Sequence, residues 1–169
     1  MRVIPASEVE YTPRALDLCA FDFPSEKLRT DRLQVNYERS STSVSISNEV
    51  VTYRPGKAAQ AIAEARYAAT HCPTAGRVSP YFGGPPATFR LTMLADSRLP
   101  SGYVALHAHV ATVVKGQREE ITSIAIYQVR GDVVSIVYVY PGKGTTAGQL
   151  QQAAFHAAEA VAHNLALVA

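Results

Sequence analysis

One local unit occurs twice in this chain: a strand that ends in Tyr, then a Pro-Gly-Lys turn, then an alanine-rich helix. The first copy runs from Val51 to Lys57 and the second from Val137 to Lys143. Proline ends the pairing of a strand, glycine supplies an unusual turn dihedral, and small alanines let a helix approach a sheet closely. The repeat therefore predicts an α+β fold in which two main helices pack on one face of a sheet.

Length and composition favour a single well-packed domain over residues 1–169. Hydrophobic residues make up 47% of the chain and charged residues 18%, which excludes intrinsic disorder. The 16 Lys and Arg are scattered against 14 Asp and Glu, so the net charge is +2 and no nucleic-acid partner is predicted. No apolar run approaches the roughly 18 residues of a membrane-spanning helix, so no transmembrane segment is predicted in this chain.

Six segments have the alternation or the β-branched content of strands, and two have the periodicity of amphipathic helices. The strands are predicted at 32–37, 44–53, 87–94, 103–115, 120–130 and 132–140, and the helices at 57–71 and 146–167. Short turn-forming separators between the later strands favour antiparallel hairpins. The segment 132–140 is apolar on both sides, which is typical of a central strand, whereas residues 1–30 are only weakly periodic. The prediction is a twisted, mainly antiparallel sheet of about six strands.

The pleat of the sheet separates a helix-covered face from an uncovered one. Within 103–115, Val104 and Leu106 belong to the apolar set that the helices would cover, whereas His107 and His109 point the other way. Extending this assignment to the neighbouring strands gives the open or cleft-forming opposite face a group of polar side chains. We predict a ligand-binding site there, formed by Arg90, His107, His109, Ser123, Tyr127 and Ser135.

No sequence motif specifies catalysis or cofactor binding. His107 and His109 could meet a metal ion, but no Asp, Glu or Cys is placed to complete the ligand set. Lys143 lies in a stretch that resembles the tail of a phosphate-binding loop, but Val137 stands where that motif requires its first glycine. We therefore predict no catalytic residue, no metal ion and no cofactor.

The chain has two cysteines, Cys19 and Cys72. An even pair suggests a disulfide in an exported protein, and the alternative is two separate buried thiols. Neither cysteine lies in a Cys-x-x-Cys motif, so thioredoxin chemistry and a zinc knuckle are not predicted.

A set of short motifs is spread over nearly the whole chain: Leu18-Cys19, the segment 50–58, His71-Cys72-Pro73, the run of strands, and the segment 131–134 before the last helix. Together they resemble the extracellular sensor-domain family typified by the C-terminal domain of the mycobacterial Ser/Thr kinase PknH, which also occurs in actinobacterial lipoproteins. The resemblance implies an antiparallel sheet with helices on one side and a cleft on the other, and it implies a Cys19–Cys72 disulfide. It also implies an extracytoplasmic module, secreted or membrane-anchored, that binds a small molecule or a cell-envelope component without catalysis.

Two other interpretations stay open at this point. One is a small α+β enzyme of the cyclase, isomerase or hydrolase type, with His107 or His109 and Tyr127 as acid and base in an apolar cavity. The other is a structural domain that forms a homodimer through the uncovered face. A deep closed cavity that holds a titratable His or Asp would favour the enzyme, and a symmetric interface would favour the homodimer.

Overall fold

A computed structural model of the chain describes residues 2–5, 14–38, 44–78, 85–95, 99 and 102–167, and of these 2–5 and 38 are described by their backbone alone. The elements in the described part are β1 (Arg2–Pro5), a short 3-10 helix (Pro24–Leu28), β2 (Arg29–Glu38), β3 (Ser45–Tyr53), α1 (Ala58–His71), β4 (Ala87–Met93), β5 (Val104–Val114), β6 (Gln117–Arg130), β7 (Val133–Tyr140) and α2 (Ala147–Leu165). The predicted α+β class is confirmed.

The strands form one antiparallel sheet in the order β1-β2-β3-β7-β6-β5-β4. Six of them are the predicted strands, and β1 adds a seventh from the weakly periodic N-terminal segment. Strand β7 lies at the centre, as its apolar residues on both sides predict. The antiparallel sheet of the sequence analysis is therefore confirmed.

The two α-helices lie on opposite faces of the sheet, so the predicted arrangement on one face is wrong. Helix α1 packs on a core cluster that includes Leu106 and Ile136, and α2 packs on a second cluster that includes Ala105 and Val137. Successive residues of a strand point to opposite faces, so neighbours such as Ala105 and Leu106 belong to different layers. We call the side of Leu106 the α1 face and the side of Ala105 the α2 face.

The turns that precede the helices account for this difference. In the first repeat, Gly56 has a φ of +72° and α1 begins two residues later, at Ala58. In the second repeat the positive φ, +80°, falls at Gly144, and α2 begins at Ala147, five residues after Gly142. The connection before α2 is longer than the one before α1, and it leads the chain to the other side of the sheet. The same sequence unit therefore forms two different connections.

A disulfide joins Cys19 to Cys72, with the two Cα atoms 5.4 Å apart. Cys72 is the C-terminal cap of α1, and Cys19 lies in the segment that leads into the 3-10 helix. The bond therefore ties the chain ahead of β2 to the end of α1. This pairing confirms the one that the resemblance implied.

Candidate ligand-binding cleft

A cleft of about 530 Å³ lies on the α1 face, over the part of the sheet that α1 leaves uncovered. That size is within the usual range of small-molecule sites in proteins, roughly 300–1,000 Å³. Strands β2 and β3 form one side, β4, β5 and β6 form the other, and β7 lies between them. The lining residues are Arg14, Ala15, Asp17, Leu18, Arg32, Gln34, Asn36, Ser47, Glu49, Phe89, Leu91, Ala108, Val110, Ile121, Ser123, Ala125, Tyr138 and Tyr140.

One wall of the cleft is a row of polar side chains on β2 and β3. In the antiparallel register Gln34 pairs with Glu49 and Asn36 pairs with Ser47, so these alternate residues share one face. All four side chains are buried, with exposed fractions between 2% for Glu49 and 9% for Asn36. Burying so many polar groups is costly unless they find hydrogen-bond partners, so this row requires a specific explanation.

Hydrogen bonds connect most of this polar row, and they are donated from Arg32 toward Ser47. The Arg32 guanidinium donates to the Glu49 carboxylate, with which it also forms a salt bridge, and to Oε1 of Gln34 at 2.8 Å. Nε2 of Gln34 then donates to Oγ of Ser47 at 2.9 Å. The exception is the buried Nδ2 of Asn36, which has no hydrogen-bond partner among the described residues. Buried polar groups are nearly always paired, so an unpaired amide in a cleft points to a bound group.

The opposite wall is apolar. Strands β4, β5 and β6 contribute six hydrophobic side chains to it, and the hydroxyl of Ser123 is its one polar group among the described residues. This wall is made of Phe89, Leu91, Ala108, Val110, Ile121 and Ala125. A ligand that fills the cleft would therefore meet hydrogen-bonding groups on one side and hydrocarbon on the other.

The segment that carries Arg14 to Leu18 forms an edge of the cleft and is held in place at several points. Glu26 of the 3-10 helix accepts hydrogen bonds from the backbone N–H groups of Ala15, at 3.2 Å, and Leu16, at 2.9 Å. The hydroxyl of Tyr138 on β7 donates to the carbonyl oxygen of Ala15 at 3.2 Å. The Cys19–Cys72 disulfide fixes the next part of the segment. The fold therefore fixes this edge of the cleft.

Glu49 carries a strongly perturbed carboxyl group in the cleft. Burial raises its pKa to about 7, while the hydrogen bond and the charge of Arg32 act in the opposite direction. More distant charges contribute too, because Glu26 raises the pKa and Arg29 lowers it. Desolvation disfavours the ionised form of a buried acid, so Glu49 changes its charge close to neutral pH.

The site residues predicted from the sequence are divided between the two faces. Ser123 and Tyr127 are on the α1 face, and the other four are on the α2 face: Arg90, His107, His109 and Ser135. Tyr127 is fully buried in the core beneath α1, where burial raises its pKa, and Ser135 is fully buried and accepts a hydrogen bond from Nδ2 of Asn48 at 2.8 Å. The structure therefore does not assemble the predicted site, and only Ser123 lines the cleft described above.

A two-residue turn between β5 and β6 causes this separation. Lys115 and Gly116 have φ angles of +50° and +79°, which is typical of the type I′ turns that close tight hairpins. In the resulting register Val104 of β5 pairs with Tyr127 of β6. Even-numbered residues of β5 thus share a face with odd-numbered residues of β6, whereas the sequence analysis assigned them to opposite faces.

A second depression lies at the edge strand β4, where Arg90, His109, Arg118 and Glu120 line part of it. Three of these groups, His109, Arg118 and Glu120, pair with one another at the surface. Glu120 accepts from Nε of Arg118 at 2.5 Å and lies 3.1 Å from Nε2 of His109, and these two partners lower the pKa of its carboxyl group. Because these groups are solvated and mutually paired, the cleft on the α1 face is the stronger candidate.

Gln34, Asn36, Ser47 and Glu49 were missed in the sequence analysis. A half-buried strand usually buries its apolar positions, but in β2 Leu33 is 61% exposed whereas Gln34 is 7% exposed. The available signal was the alternation of polar residues in two neighbouring segments, at Arg32, Gln34 and Asn36 and again at Ser47 and Glu49.

Comparison of the chain with models of protein families, with curated proteins and with solved structures finds no match. Among the described residues, no three His, Cys, Asp or Glu side chains are grouped so that they could hold a metal ion. No helix in the described part of the chain is long and apolar enough to cross a membrane.

Proposed function

We propose that this protein is a ligand-binding, sensor-like module and that its ligand occupies the cleft on the α1 face. One observation carries the proposal: a buried polar row faces an apolar wall across an open volume, and at its end Nδ2 of Asn36 has no hydrogen-bond partner in the described part of the chain. A sheet that served stability alone would gain from apolar residues at these positions. Small-molecule sites combine apolar lining with a few placed polar groups, and this cleft has that combination.

We further propose that the module works outside the cytoplasm, where its ligand is a small molecule or a cell-envelope component. The Cys19–Cys72 bond is compatible with this location, because structural disulfides persist mainly in oxidising compartments. The resemblance to extracellular sensor domains supports the same proposal.

The enzyme hypothesis requires His107 or His109 to share a cavity with Tyr127. In the observed register the two histidines are on the α2 face, and Tyr127 is enclosed on the α1 face. No acid–base pair is formed by these residues. The homodimer hypothesis required an uncovered face, and α2 covers the centre of that face.

Filling the space beside the apolar wall is expected to weaken binding of an apolar probe. Val110 lines the cleft from β5, and Val113, on the same strand, is 55% exposed on the α2 face. We expect Val110→Trp to weaken binding of the fluorescent dye N-phenyl-1-naphthylamine by about tenfold or more, which corresponds to roughly 1.4 kcal/mol. The matched variant Val113→Trp should bind like the wild type, with both variants checked for unaltered circular dichroism. The proposal fails if the wild type binds no dye or if the two variants bind it equally well.

A further inference from the structure

The polar wall of the cleft offers an unmet hydrogen-bond donor at its Asn36 end. Hydrogen bonds run from Arg32 to Gln34 and from Gln34 to Ser47, so the Ser47 oxygen is already used as an acceptor. The Ser47 hydroxyl can then donate its own proton, and Nδ2 of Asn36 is a second donor with no partner among the described residues. A group that completes this end of the row must therefore supply an acceptor for Nδ2 of Asn36.

The charges that line the cleft balance one another. Arg14 and Arg32 face Asp17 and Glu49, so the formal charges of the lining sum to zero when both acids are ionised. Glu49 is paired with Arg32, Arg14 is paired with Asp22 at the edge of the cleft, and Asp17 has an interaction of its own within the protein. No charged group of the lining is thus left to pair with an ionic head group. The free energy cost of desolvating a charged ligand would therefore not be offset inside the cleft.

We propose that the cleft binds an uncharged amphiphile, a molecule with an acyl or alkyl body and a head that bears carbonyl or hydroxyl oxygens. The body lies against the apolar wall of β4, β5 and β6, and a head oxygen accepts a hydrogen bond from Asn36. This inference rests on the proposed function and specifies the ligand class for the same cleft. A long-chain ammonium fits less well, since its head has no acceptor for Asn36. A long-chain carboxylate has the acceptor but would lie beside the ionised Glu49 above neutral pH.

Competition between three lipids of equal chain length tests the ligand class. Monomyristoylglycerol, myristic acid and tetradecylamine are each used at pH 8, below their micelle concentrations, to displace N-phenyl-1-naphthylamine from the wild-type protein. We expect monomyristoylglycerol to displace the dye at concentrations about tenfold lower than tetradecylamine, and several-fold lower than myristic acid, because an unpaired buried donor weakens binding substantially. Equal or tighter binding of the amine or the acid would overturn the assignment.

Substitution of Asn36 tests the hydrogen bond itself. Asn36→Asp keeps the shape and removes the donor, and we expect the affinity for monomyristoylglycerol to fall about fivefold or more while the dye still binds. Asn164→Asp, on the exposed part of α2, is the matched control and should leave both affinities unchanged. Because the added charge in Asn36→Asp could disturb folding, Asn36→Ala is measured as well. Wild-type affinity of Asn36→Ala for monomyristoylglycerol would overturn the proposal.

The two levels of the proposal fail in distinguishable ways. Dye binding that depends on Val110 but not on Val113, without preference for the uncharged lipid, refutes the ligand class and leaves the proposed binding function intact. Absence of dye binding by the wild type refutes the binding function, and the ligand class falls with it.

Discussion

Removal of the Cys19–Cys72 disulfide is expected to lower the free energy of unfolding by roughly 4 kcal/mol. The two cysteines are separated by 53 positions, so the cross-link closes a long loop and removes much of the conformational freedom of the unfolded chain. Native domains are stable by only about 5–15 kcal/mol, so the loss would be a large part of the total. The measurement is equilibrium unfolding in denaturant, with the wild type compared under oxidising and reducing conditions.

A double variant, Cys19→Ala with Cys72→Ala, separates the cross-link from the chemistry of reduction. It should resemble the reduced wild type in stability, apart from a small cavity at the fully buried Cys19. It should also bind N-phenyl-1-naphthylamine more weakly, since the disulfide holds the segment whose Ala15 and Leu18 line the cleft. A loss of less than about 1 kcal/mol in both samples would contradict the role assigned to the bond.

The stability of the protein is expected to decrease by about 3 kcal/mol between pH 4.5 and pH 8 through Glu49 alone. The pKa of this carboxyl group rises from an ordinary value of 4.5 to about 7 on folding. Between these two values the folded state holds the proton and the unfolded state has released it, so the free energy of unfolding decreases as the pH rises. Each pKa unit corresponds to about 1.36 kcal/mol, which gives the stated magnitude.

Glu49→Gln removes this titration and keeps the shape of the side chain. We expect the variant to lose most of the pH dependence. Its free energy of unfolding should therefore decrease much less than that of the wild type between pH 4.5 and pH 8. Glu159→Gln, on the exposed side of α2, is the control and should retain the wild-type slope. The quantity to compare is the free energy of unfolding from denaturant titrations across this pH range. Parallel slopes for the two variants would show that Glu49 is not the group responsible.

The elements of this fold could be predicted because their signals are local. The helices expected at 57–71 and 146–167 are found at Ala58–His71 and Ala147–Leu165, since the periodicity of an amphipathic helix is complete within the segment itself. Strand β6 begins at Gln117, three residues earlier than expected, because the type I′ turn at Lys115 needs only two residues.

The face on which each element lies could not be predicted in the same way. Alternation along a strand tells which residues share a side, but it does not tell which side the rest of the chain covers. The longer connection through Gly144 places α2 on the face opposite α1. The two-residue hairpin turn at Gly116 places Tyr127 on the α1 face. In β2 the same ambiguity left Leu33 in solvent and buried Gln34. The candidate site therefore depended on connections between elements, which single segments do not encode.

Mapping the bound dye by nuclear magnetic resonance is the most direct test of the cleft as a binding site. Isotope-labelled protein is titrated with N-phenyl-1-naphthylamine, and the shifts of backbone and side-chain amide signals are followed. We predict the largest changes at Gln34, Asn36, Ala108 and Ser123, which line the cleft on the α1 face. Changes concentrated instead around Arg90 and His109, in the second depression, would contradict this account.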